Sequence, residues 1–417
     1  MTRDVILTLS LMLGGGLAAR FLSDLLRVPE MLLMVAVGAL LGPSLLDVID
    51  VPLDSLGAQL VFTLGVSAIL FYGGLNLSLR VLRQTALSLG LLSIPGVILT
   101  ASIVAVPTHF AFGFSWTESL LLGAVLAPTD PAILIPLFTA SRVRAKVAQT
   151  VIAESAFNDP TGAVLALTVA GVLLSGDSSV GKPALEFVLD LGISTAVGIV
   201  AGVLLSAAIS SHRAGIWRES SAIAVTAVVT IGYFSLDSAG GSGYLGAFIA
   251  GLIVGNMEML GLAMHSHHER EMKDFARNLA EIVTLFVFIV LGVNLPFAEI
   301  GRQILPALAV LAVLLLVARP ITVFVCATPD RRARWTRGEL LFLCWTRETG
   351  VVPAALVGVL AGLGVPDNPI FASVVALAIV VTLAIQALPA PWLARRLGIL
   401  EEDHPTPEGL ESSAALA

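Results

Sequence analysis

The residues with most chemistry to offer lie in one run, Glu154-Ser155-Ala156-Phe157-Asn158-Asp159-Pro160-Thr161-Gly162. Its flanks, Val151 to Ala153 and Ala163 to Leu174, are almost wholly apolar. At roughly 100° per residue, Glu154, Asn158, Ser155 and Asp159 fall at about 0°, 40°, 100° and 140°. They form a polar wedge on one side of an apolar helix. A carboxylate, a hydroxyl and backbone carbonyls are the oxygen ligands that a hard monovalent cation takes. Pro160 adds to them, because it cannot donate to the Ala156 carbonyl and leaves that oxygen near Asp159 available. A carboxylate that holds either a cation or a proton, but not both, couples the two fluxes by competition. One such site carrying one ion per transit gives an electroneutral exchange.

Two other runs break their helices. Pro128-Thr129-Asp130-Pro131, followed by Pro136, leaves the carbonyls of Ala124 and Ala127 without their usual helical donors. Asp130 then sits where half-helix ends meet, as a fixed countercharge. Thr346-Arg347-Glu348-Thr349-Gly350, followed by Pro353, interrupts a second apolar segment near its middle.

The elements that must position these residues are membrane spans. Apolar residues make up 57% of the 417 and charged residues only 13%, against about 25% charged in a soluble domain. Apolar runs long enough for about 30 Å of hydrocarbon recur along the chain. An ionised side chain at the centre of such a span costs about 2.5–3.5 kcal/mol on insertion scales, so it marks an ion or proton pathway. The pattern predicts an all-α polytopic membrane protein with thirteen spans, near 5–22, 29–46, 57–77, 84–106, 117–138, 147–175, 185–210, 219–236, 243–264, 275–295, 304–327, 338–363 and 369–394. Residues 1–400 form a single transmembrane domain, and the acidic stretch 401–417 reads as a disordered cytoplasmic tail.

Charge sets the orientation. Alternate loops hold eighteen of the 23 Lys and Arg residues, among them Arg142, Arg144 and Lys146 after span 5 and Arg331, Arg332, Arg334 and Arg337 after span 11. The other loops and the N-terminus hold Arg3, Lys182 and Arg302. The positive-inside rule therefore places the N-terminus outside and the C-terminus in the cytoplasm. An inverted repeat fits the same map. Gly38-Ala39-Leu40-Leu41-Gly42 of span 2 resembles Gly251-Leu252-Ile253-Val254-Gly255 of span 9, and Gly74-Leu75-Asn76-Leu77 of span 3 resembles Gly292-Val293-Asn294-Leu295 of span 10. Both pairs are seven spans apart, and the same offset joins the broken spans 5 and 12. Paired broken helices in two inverted halves point to a transporter's substrate site.

The remaining polar residues divide less sharply. Glu154 reads equally as an ion contact and as half of a structural ion pair. Arg319 and Arg347, inside spans 11 and 12, read as partners for carboxylates or helix ends, and Glu348 as a local partner of Arg347. Asn76 and Asn294 read as helix caps. His265, His267 and His268 fall in a predicted cytoplasmic loop. Cys326 and Cys344 lie in apolar runs, with no disulfide framework and no CxxC metal site. No basic aromatic surface suggests nucleic acid, and no secretory signal is expected.

Together, PTDP, ESAFNDPTG, the Gly-Pro end of span 2 and Phe71-Tyr72-Gly73-Gly74-Leu75 resemble the monovalent cation/proton antiporters, in the sodium/proton exchanger branch whose sixth helix carries Asn-Asp. The resemblance spans essentially all thirteen segments. It implies a homodimer in a cell (inner) membrane, with a dimerisation domain and a core of six helices that moves like an elevator, exchanging one Na⁺ or similar ion for one H⁺. It implies a transporter without cofactor, not an enzyme, whose partners are the cation, the proton and lipid. Residue by residue, it implies that Asp159 binds cation and proton, that Ser155 and Thr129 contribute oxygens, and that Asp130 faces the crossing helix ends. It further implies that Asn158 orients the crossing and that Glu154 sits near the ion, linked by water or by an arginine, Arg319 or Arg347. The usual glycine after the span 12 arginine is Glu348 here, a departure that bears on the role of Arg347 and on Na⁺ against K⁺. A K⁺/H⁺ antiporter is thus the nearest alternative. A cation channel needs no inverted repeat built on two broken helices. An intramembrane aspartyl protease using Asp130 and Asp159 would carry Gly-x-Gly-Asp, which is absent around both.

Overall fold

A computed structural model describes residues 2–26, 28–79, 83, 85–130, 138, 143–176, 181–211, 215–387 and 389–400. Pro131, Pro136, Arg142 and the expected tail 401–417 lie outside them. The described residues are helical apart from turns and one isolated antiparallel bridge, Val143 to Leu400. The helices are α1 Thr2–Leu26, α2 Glu30–Leu41, α3 Leu56–Leu75, α4 Ala86–Phe112, α5 Trp116–Leu126, α6 Ala145–Ser175, α7 Gly181–Ile209 and α8 Ser221–Ser238. They continue as α9 Gly243–Gly255, α10 Ser266–Val293, α11 Phe297–Ala327, α12 Arg337–Trp345, α13 Val351–Gly362, α14 Asn368–Gln386 and α15 Ala390–Arg396.

Among the described residues, nine helices are long and apolar enough to cross a membrane, and four apolar helices are shorter: α2, α5, α9 and α13. The chain is an integral membrane protein. Three expected boundaries move. The second span ends at Leu41 rather than 46, and the ninth at Gly255 rather than 264, followed by a 3-10 turn, Met257–Leu260. Helix α10 starts at Ser266, so His267 and His268 lie on a helix and not in a loop. Its polar first turns are held by pairs one turn apart, Lys273 with Glu269 and Arg277 with Asp274.

Two helix crossings are built alike. Helix α2 lies on α10, where a Cβ at Gly38 or Gly292 would strike the other helix's backbone. Helix α3 lies on α9, where Gly74 and Gly251 stand in the same relation. Small residues let the backbones approach this closely, the usual device where lipid removes any hydrophobic drive between helices. Asn76 and Asn294 cap α3 and α10, donating to the carbonyls of Tyr72 (2.8 Å) and Val290 (2.9 Å). Asn294 also reaches the Val51 carbonyl after α2 (2.8 Å), and Asn256 reaches the Leu77 carbonyl after α3 (2.7 Å).

Three π-helical turns, Val61–Gly65, Leu314–Ala318 and Leu383–Ala387, interrupt long helices. A π turn shifts the side chains that follow and often marks a functional region. All three border α12 and α13: Phe62 packs on Gly358, Arg319 follows the second, and Gln386 in the third donates to the Trp345 carbonyl (2.6 Å).

Candidate functional site

The site is where two unwound segments meet against α6. After α5 ends at Leu126, residues 127–130 are not helical, and residues 346–350 separate α12 from α13. They are latched to each other. The Asp130 N–H donates to the Glu348 carbonyl at 2.9 Å, and the Val351 N–H, at the first residue of α13, points to Asp130 Oδ2 at 3.4 Å. A Cβ at Gly350 would collide with the Asp130 carboxylate. Asp130 thus sits at the positive end of α13, where an anion is favoured.

The opposite pole is matched. Arg347, 1% exposed, donates from Nη2 to the carbonyls of Leu126 and of Ala127, the latter at 3.0 Å. These oxygens lie at the C-terminus of α5. Pro128 and Pro131 cannot serve Ala124 and Ala127 as donors; Ala124 O instead accepts a short-range bond from Ala127 N (3.3 Å), and Ala127 O accepts from the arginine. The guanidinium therefore neutralises a helix's negative end and supplies its missing donors.

Arg319, 3% exposed, does the same for α12. Its Nε donates to the Leu343 carbonyl at 2.9 Å and its Nη2 to the Thr346 carbonyl at 3.1 Å. The other side of the guanidinium forms a two-pronged pair with Glu154 on α6, Nη1 to Oε1 and Nη2 to Oε2, the latter 3.0 Å. Of the two arginines considered for Glu154, the partner is Arg319. Such a pair repays its desolvation only with this geometry and with the remaining N–H groups satisfied.

Helix α6 grips Thr129 through three bonds. Ser155 Oγ donates to the Thr129 carbonyl, the Thr129 N–H donates to Asn158 Oδ1 (3.2 Å), and Asn158 Nδ2 donates to Thr129 Oγ1 (2.9 Å). The contact is close because α6 has Gly162 there: a Cβ would overlap the Pro128 ring. Asp159 lies on the same helix, is partly exposed, and makes no hydrogen bond or ion pair among the described residues. The charged neighbour acting on it is another carboxylate, Asp130.

The structure thus brings Asp159, Ser155, Thr129, Asp130, Glu154, Asn158, Arg319 and Arg347 to one place. The expected Arg347–Glu348 pair is not formed. Glu348 is 2% exposed, and its Oε1, with Arg347 Nη1 and Thr349 Oγ1, has no hydrogen-bond partner among the described residues. Residues 346–350 are not helical, and Arg347 is committed to the α5 carbonyls. Sequence reasoning missed Thr382 and Gln386, which hold the unwound segment from α14 through Thr349 N (3.0 Å) and the Trp345 carbonyl. Polar residues within the last apolar span were the available signal.

Fold and site together define a polytopic membrane protein whose centre holds charged residues and two unwound helix ends, the architecture of an ion transporter. Residues 8–396 match the family model described as sodium/hydrogen exchanger, transmembrane, and the chain belongs to that family. That description is of a transmembrane transporter. The chain is 28% identical over 400 residues to "K(+)/H(+) antiporter NhaP" of Alkalimonas amylolytica, covering 94% of this chain and 66% of that protein. It therefore spans just under two thirds of that relative's length. It is 26% identical to "Probable Na(+)/H(+) antiporter 2" of Methanocaldococcus jannaschii, covering 84% of this chain and 82% of that one. The fold matches the solved sodium proton antiporter MjNhaP1 of Methanocaldococcus jannaschii at a TM-score of 0.80 and 23% identity, over 94% of this chain and 99% of that one.

Proposed function

We propose that this protein exchanges a monovalent cation for H⁺ at Asp159, electroneutrally and one for one, with Ser155 and Thr129 as oxygen ligands and no cofactor. One observation carries the reading. Glu154 is ion-paired and Asp130 is bound at a helix end, while Glu348 is sealed in; Asp159 alone of these carboxylates is both partly accessible and without a partner among the described residues. A cation or a proton can occupy it, and each excludes the other. Asn158, Arg319 and Arg347 hold the frame in which Asp159 stands.

The α2–α10 and α3–α9 crossings are images of each other under a seven-span offset, which supports an inverted repeat and thirteen spans within residues 1–400. In this reading the core containing the two unwound segments moves like an elevator against a dimerisation domain in a homodimer, in the cell membrane, with the N-terminus outside. The cation is Na⁺ in the first reading. K⁺ is the second, favoured by the relative named as a K⁺/H⁺ antiporter and by Glu348 at the crossing.

Purified protein in vesicles holding a pH dye and a preset ΔpH tests this. Na⁺, Li⁺ or K⁺ added in turn collapses ΔpH, and whichever acts at the lowest concentration is the preferred cation. Asp159→Asn abolishes the response while leaving the melting temperature near wild type. If no cation acts, or Asp159→Asn remains active, exchange at this site is refuted. A response that changes under clamped voltage refutes the one-for-one count alone.

A further inference from the structure

We propose that His267, His268 and Glu271, at the start of α10, form a binding site for a divalent transition-metal ion of borderline softness, with Zn²⁺ as its reference cation. The site is separate from the ion pathway and does not rest on the exchange reading.

Helix spacing brings the ligands together. Residues three and four apart share a face, so His267 and His268 both reach Glu271. His267 Nδ1 is 3.2 Å and His268 Nδ1 3.3 Å from the same oxygen, Glu271 Oε2, and the three ligand atoms lie within 4.8 Å of one another. Bonds of about 2.0–2.2 Å around a tetrahedral Zn²⁺ place neighbouring ligand atoms about 3.3–3.5 Å apart. The two nitrogen-to-oxygen separations thus need to change by only a few tenths of an ångström. The imidazole rings stand 5.6 Å apart between centroids at 67°.

Ligand chemistry makes the same case. Two nitrogens and one carboxylate suit Zn²⁺ and its transition-metal neighbours; Na⁺, K⁺ and Mg²⁺ prefer oxygen. The side chains of His267 and Glu271 are 77% and 59% exposed and that of His268 is 28% exposed. The site is open to solvent, which leaves a fourth position for water, the open form of a three-ligand zinc site. The positive end of the α10 dipole opposes the ion, and the Glu271 carboxylate offsets it.

The test uses tag-free, full-length protein purified without chelator, titrated with ZnCl₂ by calorimetry and with CoCl₂ by visible absorption. One Zn²⁺ binds per chain, and Co²⁺ gives the intense bands of tetrahedral coordination. His267→Ala/His268→Ala weakens Zn²⁺ binding at least ten-fold and removes those bands, Glu271→Gln weakens it several-fold, and His265→Ala has no effect. Melting temperatures without metal stay at the wild-type value in all variants, so loss of binding is not loss of fold. Absence of stoichiometric binding, or binding that survives the double substitution, overturns the proposal.

Discussion

Arg319 and Glu154 are the residues on which the buried centre most depends. Both are sealed from water, and the guanidinium also serves two carbonyls at the end of α12. Removing the carboxylate alone leaves a charge buried without its partner, a change that costs about 3–5 kcal/mol. Glu154→Ala should therefore lower the melting temperature of purified protein well below that of Asp159→Asn. Glu154→Leu combined with Arg319→Met should recover much of the loss, because no uncompensated charge remains. A double variant as unstable as Glu154→Ala would assign the damage to the α12 carbonyls instead.

At the scale of elements, the loop between α11 and α12 is tied to α4 through Asp330. Burial alone would raise this carboxyl, but hydrogen bonds from Ser88 Oγ and N–H and from the N–H groups of Ala333 and Arg332 outweigh it and hold it below the ordinary range. A carboxyl depressed in the folded state stabilises above its unfolded pKa of about 3.9, and that contribution fades as pH falls through the lower, folded value. Thermal melts should show Asp330→Asn less stable than wild type at pH 7, with the gap closing towards pH 3. The helix crossings make a second element-scale case. Gly74→Leu would drive a side chain into the backbone of α9 at Phe248, and overpacking of this kind typically costs about 1–3 kcal/mol. It should reduce the yield of folded protein, while Gly73→Leu, with open space at its Cβ, should not.

For the molecule as a whole, the C-terminal segment is a strap across the ends of the central helices. Val143 bridges Leu400, the Arg144 N–H donates to the Ile399 carbonyl at 2.9 Å, and Arg144 Nη2 donates to the Gly398 carbonyl at 2.9 Å. Arg144 precedes α6, and Lys146 on its first turn pairs with Glu339 on α12 at 2.7 Å. The strap is thus bonded to the residues that lead into the helix carrying Asp159, and that helix is itself paired to α12. Ile399 is fully buried, worth about 1.5–3 kcal/mol, and the two backbone-directed bonds add about 0.5–1.5 kcal/mol each. Deleting residues 397–417 should lower the melting temperature by several degrees, whereas deleting 401–417 should not.

Much of this protein is legible in its sequence. Composition and hydropathy point to an all-helical membrane chain, because apolar runs of about 20 residues cross lipid as helices, which satisfy their own backbone polar groups. Proline placement located both breaks, and the cost of a charge in an apolar span singled out Asp159, Glu154, Arg319 and Arg347. The Asn76 and Asn294 caps followed from their position at the ends of apolar runs. Tertiary structure alone decided which partners those charges take. Glu154 and Arg319 are 165 residues apart, and the choice of Arg319 over Arg347 depends on where α11 and the 346–350 segment pass α6. It also decided that Glu348 stands apart from Arg347, since the Arg347 guanidinium is taken up by the carbonyls of Leu126 and Ala127. His267 and His268 moved from a loop to a helix because paired charges carry α10 beyond its apolar run. Chain periodicity and the cost of desolvation act locally and can be read from sequence; the pairing of distant charges is a property of packing.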